Sequence, residues 1–177
     1  MQVGGGIIGL ATAREVLRRY PKLTVAVVEK EREVAAHQTG HNSGVIHAGM
    51  YYPPGSVMAA TCVRGSKLMY DYAAEQGIPV SRCGKLIVAV NEQEHAHVAK
   101  LFAQGTANGV PGLAILTGAQ VAAQEPAISA AYSALWSPNT GVIDYSVVAR
   151  HLAQEILNSG RADIKLSFEA NVRKMGA

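Results

Sequence analysis

Val3-Gly4-Gly5-Gly6-Ile7-Ile8-Gly9-Leu10-Ala11-Thr12-Ala13 is the stretch whose reading decides the fold. Gly4, Gly6 and Gly9 stand at the spacing GxGxxG. In that spacing the first glycine allows a tight turn out of a strand. The second lets the backbone approach a pyrophosphate, and the third lets the next helix lie close to the sheet. The helix start adds free N–H groups and a partial positive charge. Gly4, Gly5, Gly6, Ile7, Ile8 and Gly9 are therefore candidate phosphate contacts. The spacing alone is common, and a glycine-rich turn in another α/β fold is the other reading. The flanks favour a dinucleotide site. Leu10, Ala13, Val16 and Leu17 recur at helical spacing, with Arg14, Glu15, Arg18 and Arg19 on other faces, and Pro21 stops the helix. Thr24 to Val28 reads as a buried parallel strand. It ends in Glu29, about twenty residues beyond Gly9, where a carboxylate accepts the hydroxyls of an adenosine ribose. Lys30 follows and no arginine stands beside the acid, so an unphosphorylated ribose is expected and NADP is not.

Only Met1, Gln2 and Val3 precede the glycines, fewer than the five or six residues usual for a strand. A first strand cut short is expected, and with it a truncated chain that carries no targeting segment. The 177 residues are 49% hydrophobic and 16% charged, enough apolar surface to bury a core. The net charge of +3 is spread in short runs, which gives no footing for nucleic acid. No apolar stretch is long enough to span a membrane. Cys62 and Cys83 have neither metal spacing nor a disulfide framework, and each reads as a small apolar residue in a reducing compartment.

Beyond Glu29, the charged run Lys30-Glu31-Arg32-Glu33 reads as a solvated loop. Then comes His37-Gln38-Thr39-Gly40-His41-Asn42-Ser43-Gly44-Val45-Ile46-His47-Ala48-Gly49-Met50-Tyr51-Tyr52. Its small polar residues offer donors to phosphate, and its glycines admit a flat ligand. Metal binding is the weaker reading, because no acid or thiol lies nearby. Ser56 to Gln76 reads as a helix with Val57, Ala60, Val63 and Leu68 as its apolar stripe and Gly77 after its end. Leu86 to Val90 is a strand. Asn91 with Glu94 and Thr117 with Gln120 open two further helices as capping boxes. His95 and His97 read as surface residues. Ala134 to Trp136 and Gly141 to Ile143 read as strands around Ser137-Pro138-Asn139-Thr140, with Trp136 read as packing rather than lining a cavity. Tyr145 to Ser159 is an amphipathic helix buried through Val148, Leu152, Ile156 and Leu157. Ile164 to Phe168 is a strand, and Asn171 to Met175 begins another.

GGGIIGLATA, VVEK and HQTGHNSGVIHAGMYY, in this order, resemble the FAD-dependent oxidoreductases of the D-amino-acid-oxidase superfamily. Within it they resemble the L-2-hydroxyglutarate dehydrogenases, as do GKLIVAV at 84–90 and TGVIDY at 140–145. The likeness runs through nearly the whole chain, and HQTGHNSGVIH is its most specific part. It implies an α/β chain in which a Rossmann-like FAD-binding domain, 1–83 and 145–177, is interrupted by an α+β substrate-domain segment, 84–144. The chain is expected to be incomplete, since that family's proteins are more than twice as long. The resemblance implies FAD as cofactor, with Thr39, Gly40, Asn42, Ser43, Gly44 and Val172 as further contacts. It implies mitochondria in a eukaryote, and otherwise the cytoplasm or the face of the inner membrane.

Oxidation of a 2-hydroxy acid at a flavin needs a base for the hydroxyl proton and clamps for the carboxylates. The resemblance puts His47 near flavin and substrate, either as that base or only as a hydrogen-bonding partner of cofactor or backbone. Arg64 and Lys85 are candidate clamps for a dicarboxylate, with Arg64 and Lys67 as merely solvated cations the competing reading. The expected partners are a small hydroxy-acid substrate and an unidentified electron acceptor. Three readings stand: a 2-hydroxyglutarate dehydrogenase, a related flavin oxidase of amino acids or another hydroxy acid, and a fragment that does not turn over. The chain as given is expected to be poorly soluble, sub-stoichiometric in FAD and inactive alone, with unpaired sheet edges.

Overall fold

The computed structural model describes residues 1–168. The expected strand at 171–175 and the candidate contact Val172 lie outside them. The chain divides into two compact units, 1–44 with the residues from Asp144 onward, and 45–143. Residues 45–83, which the sequence assigns to the cofactor domain, fall in the second unit.

The first unit is built on the βαβ turn. Strand β1 is Gln2–Val3, helix α1 is Ile7–Arg19 and strand β2 is Val25–Val28. β2 pairs parallel with β1, setting Val27 against Gln2. α1 buries Gly9, Leu10, Ala13 and Leu17, one stripe at helical spacing. An added Cβ at Gly9 would press on the Gly4 carbonyl oxygen, so only glycine lets the helix approach this closely. Helix α5, Tyr145–Asn158, packs along α1, and Arg14 Nε meets Glu155 Oε1 at 2.7 Å. Its start is capped by Asp144, whose carboxylate accepts from the N–H groups of Ser146 and Val147. The buried side is Val148, Ala149, Leu152, Ala153 and Ile156. Leu157, expected in that set, is 40% exposed, at the last turn of the helix, where the row Ala149–Ala153 leaves the packed face.

Strand β9 is Ala162–Lys165 and extends the parallel sheet on the far side of β2, in the order β1-β2-β9. The strand expected over Ile164 to Phe168 is thus displaced toward the N-terminus. The backbone explains why: Ser167 has φ +56, and Ser167 N–H and Phe168 N–H donate to the carbonyls of Glu31 and Glu29. The chain therefore turns over the end of β2 there. Arg161 ties the α1–β2 turn by donating to the carbonyls of Leu17, Tyr20, Pro21 and Leu23. Nothing in its sequence neighbourhood marks that role.

The second unit holds two small antiparallel sheets. One contains β3 (Val45–Ile46), β4 (Val80–Ser81) and β8 (Gly141–Ile143), with β8 in the middle. The other contains β5 (Lys85–Ala89), β6 (Ala114–Thr117) and β7 (Ser133–Ser137), with β7 in the middle. Helices α2 (Val57–Gln76), α3 (Glu92–Ala107) and α4 (Gly118–Gln124) complete it. β7 and β8 flank the Ser137–Thr140 turn as expected, yet they do not pair with each other. The turn passes the chain from one sheet to the other, held by the buried Ser137 and Thr140 hydroxyls 2.9 Å apart. The core joins Ala48, Met50, Ala89, Val98, Leu101, Val110 and Leu135.

The buried residues of α2 are Ala59, Tyr70 and Ala73, with Val63 half-buried, while Val57 and Leu68 are 78% and 53% exposed. The steps from 59 through 63 and 70 to 73 keep to one face, and the stripe read from the sequence drifts off it. His95 is not a free surface residue: its Nδ1 lies 2.8 Å from the Oγ of buried Ser133, and its ring tilts against Tyr132.

Gly84 has φ +76, and a Cβ there would run into the Trp136 ring. Trp136 thus covers a glycine, which is the packing role expected of it. Gly84→Ala combines backbone strain with overpacking and should cost about 1–3 kcal/mol, read as a lower denaturant midpoint at unchanged slope.

Candidate cofactor cradle and polar cluster

Glu29 closes the glycine turn from below. Its Oε2 accepts the Gly5 N–H at 2.6 Å and its Oε1 the Glu31 N–H at 2.9 Å, with 9% of the residue exposed. Each carboxylate oxygen keeps lone-pair capacity for a further donor such as a ribose hydroxyl. The acid therefore has a structural duty that its position in the sequence does not announce: it pins the loop whose backbone must meet phosphate. Gly4 takes φ +99 and donates its N–H to the Val28 carbonyl at 2.8 Å. On the other side the Gly5 carbonyl accepts from Ala35 N–H at 3.1 Å, and Ala35 itself has φ +63. A non-glycine residue in that region costs free energy and is held there by its surroundings.

The histidine- and glycine-rich stretch arrives above this turn. Thr39 Oγ1 accepts the Ile7 N–H at 3.1 Å, capping α1 from a distance in sequence. Asn42 uses its amide within its own loop, donating to the carbonyls of Gln38 and Thr39 and accepting from Gly44 N–H. Gly40 has no room for a side chain, since a Cβ would lie 2.8 Å from the Ala35 carbonyl oxygen. Ser43 is exposed, and Gly44 has φ +68. Lys30 is exposed and pairs with Glu31 at 3.2 Å. Glu31, read as merely solvated, also meets His37 Nε2 at 2.8 Å, and His37 first and then Lys30 hold its carboxyl below the ordinary range. The structure thus gathers Gly4 to Gly9, Glu29, Lys30 and Thr39 to Gly44 in one unit.

The donor set fits a dinucleotide. Helix α1 carries no side-chain cap at Gly6 and no acid in its first turn, so beyond the Ile7 N–H that Thr39 takes, its positive end favours an anion. At Gly6 an added Cβ would meet only Thr39 Oγ1, at 3.3 Å, so the space above that residue is bounded by a donor hydroxyl and not by backbone. Among the described residues no group of three or more His, Cys, Asp or Glu could hold a metal ion.

In the second unit His47, Tyr51 and Lys85 form a cluster. Lys85 Nζ donates to Tyr51 Oη at 2.7 Å, and the Tyr51 ring meets the His47 ring edge-on at 6.5 Å between centroids. Burial chiefly, and the Lys85 charge next, hold the His47 pKa below its ordinary value near 6.5. The shift favours the neutral imidazole, the form a base needs, although the residue is exposed. Replacing Lys85 by Met removes the smaller cause only. Titration of the His47 ring by NMR should show its pKa rising yet staying below 6.5. Tyr51 escaped the sequence reading because its role rests on a partner, Lys85, far along the chain. Arg64 sits elsewhere: it lines a cleft of about 370 Å³ with Lys67, Tyr70 and Arg82, and neither His47 nor Lys85 is part of that lining.

A βαβ glycine turn that opens onto a helix start, above a buried acid, is the geometry of a dinucleotide-binding domain. Residues 3–172 match the FAD dependent oxidoreductase family, and the chain belongs to it. The mitochondrial L-2-hydroxyglutarate dehydrogenase of Dictyostelium discoideum is 47% identical over 173 residues, 95% of this chain and 39% of that protein. The Homo sapiens enzyme of the same name is 46% identical over 167 residues, 94% of this chain and 36% of that protein. The chain therefore spans well under half the length of these relatives. Among solved structures, the L-alpha-glycerophosphate oxidase of Mycoplasma pneumoniae, with FAD bound, superposes with a TM-score of 0.86 at 31% identity. It covers 93% of this chain and 43% of that one. Glycine oxidase from Bacillus cereus, at 23% identity and a TM-score of 0.75, shares the fold.

Proposed function

We propose that this chain is the cofactor-binding and part of the substrate-binding region of an FAD-dependent dehydrogenase that oxidises L-2-hydroxyglutarate to 2-oxoglutarate. The observation that carries the reading is the 47% identity to an enzyme of that name across 95% of the chain. The FAD, when bound, supplies the hydride acceptor. The chain's own residues do the rest. Gly4 to Gly9 and the start of α1 receive the pyrophosphate, and Glu29 receives the ribose hydroxyls while it pins Gly5. Thr39, Gly40, Asn42, Ser43 and Gly44 shape the loop over the cofactor, with Lys30 at its edge. His47, in its neutral form, accepts the proton of the substrate hydroxyl. Lys85, fixed by Tyr51, holds one carboxylate. We assign Arg64 to the cleft it lines and not to that clamp.

Electrons leave to an acceptor outside this chain. The mitochondrial names of the relatives support the same compartment for a eukaryotic source. Among the described residues no helix is long and apolar enough to cross a membrane. A second reading, a related flavin oxidase, is favoured by the superposition on the glycerophosphate oxidase. A turnover panel on a full-length enzyme carrying this segment separates the two. With an artificial electron acceptor, L-2-hydroxyglutarate should give the highest kcat/KM. A higher value for glycine, proline or glycerol 3-phosphate would reverse the assignment.

A further inference from the structure

The cleft around Arg64 is a built feature with no part in the chemistry above. Its floor is apolar: Ala48 and the Tyr70 ring are buried, and Val63 is half-buried. Its rim carries three cations, Arg64 and Lys67 one turn apart on α2 and Arg82 just after β4. One acid answers them, since Asp71 takes Lys67 at 2.6 Å. Among the described residues Arg64 has no acid partner within ion-pair distance. Like charges gathered at a concave surface repel, and an anion relieves that repulsion.

The rim is also fixed in advance. The Arg82 guanidinium lies 4.0 Å over the Tyr70 ring and hydrogen-bonds the Tyr70 hydroxyl, which holds the cation in place while its remaining N–H groups can meet an anion. Tyr70 Oη donates to the Asn139 carbonyl at 3.1 Å, and Asn139 Nδ2 donates to the Pro111 carbonyl at 2.9 Å. The polar atoms around the floor are thus engaged with each other and hold its shape. Binding to such a site orders few groups, which limits the cost of association. The volume, about 370 Å³, is that of a small-molecule site.

We propose that this cleft is a second binding site, separate from the reacting centre, for a small organic dianion with a flat apolar body. Arg64 and Arg82 hold the two charges, Lys67 adds to the field, and the Tyr70–Val63 floor takes the apolar face. The site regulates or concentrates such a molecule, as a site built of cations over an apolar floor does.

Equilibrium dialysis of a full-length enzyme carrying this segment against phthalate, with benzoate and inorganic phosphate alongside, tests this. Phthalate should bind saturably, one per chain, and more tightly than benzoate or phosphate. Binding should weaken as salt rises. Arg64→Glu and Arg82→Ala should each weaken it by about tenfold or more, the worth of one charge-assisted hydrogen bond, with circular dichroism unchanged. Lys85→Met should leave it untouched. Non-saturable uptake, equal binding by the Arg64 and Arg82 variants, or loss through Lys85→Met would overturn the proposal. None of these readouts uses turnover, so the result is independent of the reaction assigned above.

Discussion

A Gly6→Val variant should fold and fail to hold FAD. An ideal Cβ at Gly6 meets only the Thr39 hydroxyl oxygen, at 3.3 Å, and a side-chain hydroxyl can give by the few tenths of an ångström required. The branched methyls then stand over the open start of α1, where the pyrophosphate is assigned. Crowding of this kind costs about 1–3 kcal/mol or more, so FAD affinity should fall about 10- to 100-fold. Titration of flavin fluorescence reads the affinity, and far-UV circular dichroism reads the fold. Gly9→Val is the contrast. Its Cβ presses on the Gly4 carbonyl and the Gln2 side chain, so the helix must leave the sheet and the fold itself should fail. A Gly6→Val protein with undiminished flavin affinity would remove the turn from the cofactor site.

His47→Ala, in a full-length enzyme carrying this segment, should lower kcat by about 10²- to 10⁴-fold, the usual worth of a positioned base. FAD content should stay the same. The acidic limb of the kcat/KM profile of the unaltered enzyme should lie below pH 6.5, since burial and Lys85 both disfavour the charged imidazole. In Lys85→Met the limb should move upward in pH, and KM should rise more than kcat falls. If His47→Ala instead loses flavin and keeps kcat per bound flavin, the residue serves the cofactor or backbone and not the proton.

What the sequence made legible follows from how local each signal is. The turn at Gly4, Gly6 and Gly9 needs only backbone freedom, and it stands where the spacing puts it. So do Gly77 at the end of α2, Asn91 as an N-cap, though Glu94 takes the Val90 N–H rather than the cap's own, and the box at Thr117, because their partners lie within a few residues. The family was legible for the same reason: its motifs are contiguous. Signals that depend on distant partners were not. Glu29 could be read as a ribose ligand, but its hold on Gly5 requires β2 to lie beside the turn. Tyr51 needs Lys85, and Arg161 needs four carbonyls from the α1–β2 turn.

The misplaced apolar stripes have a similar cause. Val57 and Leu68 are hydrophobic but lie off the row set by Ala59, Tyr70 and Ala73, and periodicity over small residues such as alanine carries little contrast. The final strand was displaced because Leu166 and Phe168 look like strand residues. The positive φ at Ser167 and the two bonds to the end of β2 are set by tertiary structure. Arg64 and Lys85 were each read as candidate clamps because both are cations in the right region, with Arg64 also open as a solvated cation. The structure gives them different neighbours, Tyr51 for Lys85 and the Lys67–Arg82 rim for Arg64.

The visible spectrum of a purified full-length enzyme carrying this segment, before and after addition of FAD, bears most directly on the account. The protein should be yellow as isolated or become so on mixing and gel filtration, with flavin retained by the protein peak. A chain that stays colourless after exposure to FAD, or that retains a nicotinamide nucleotide in its place, would contradict it.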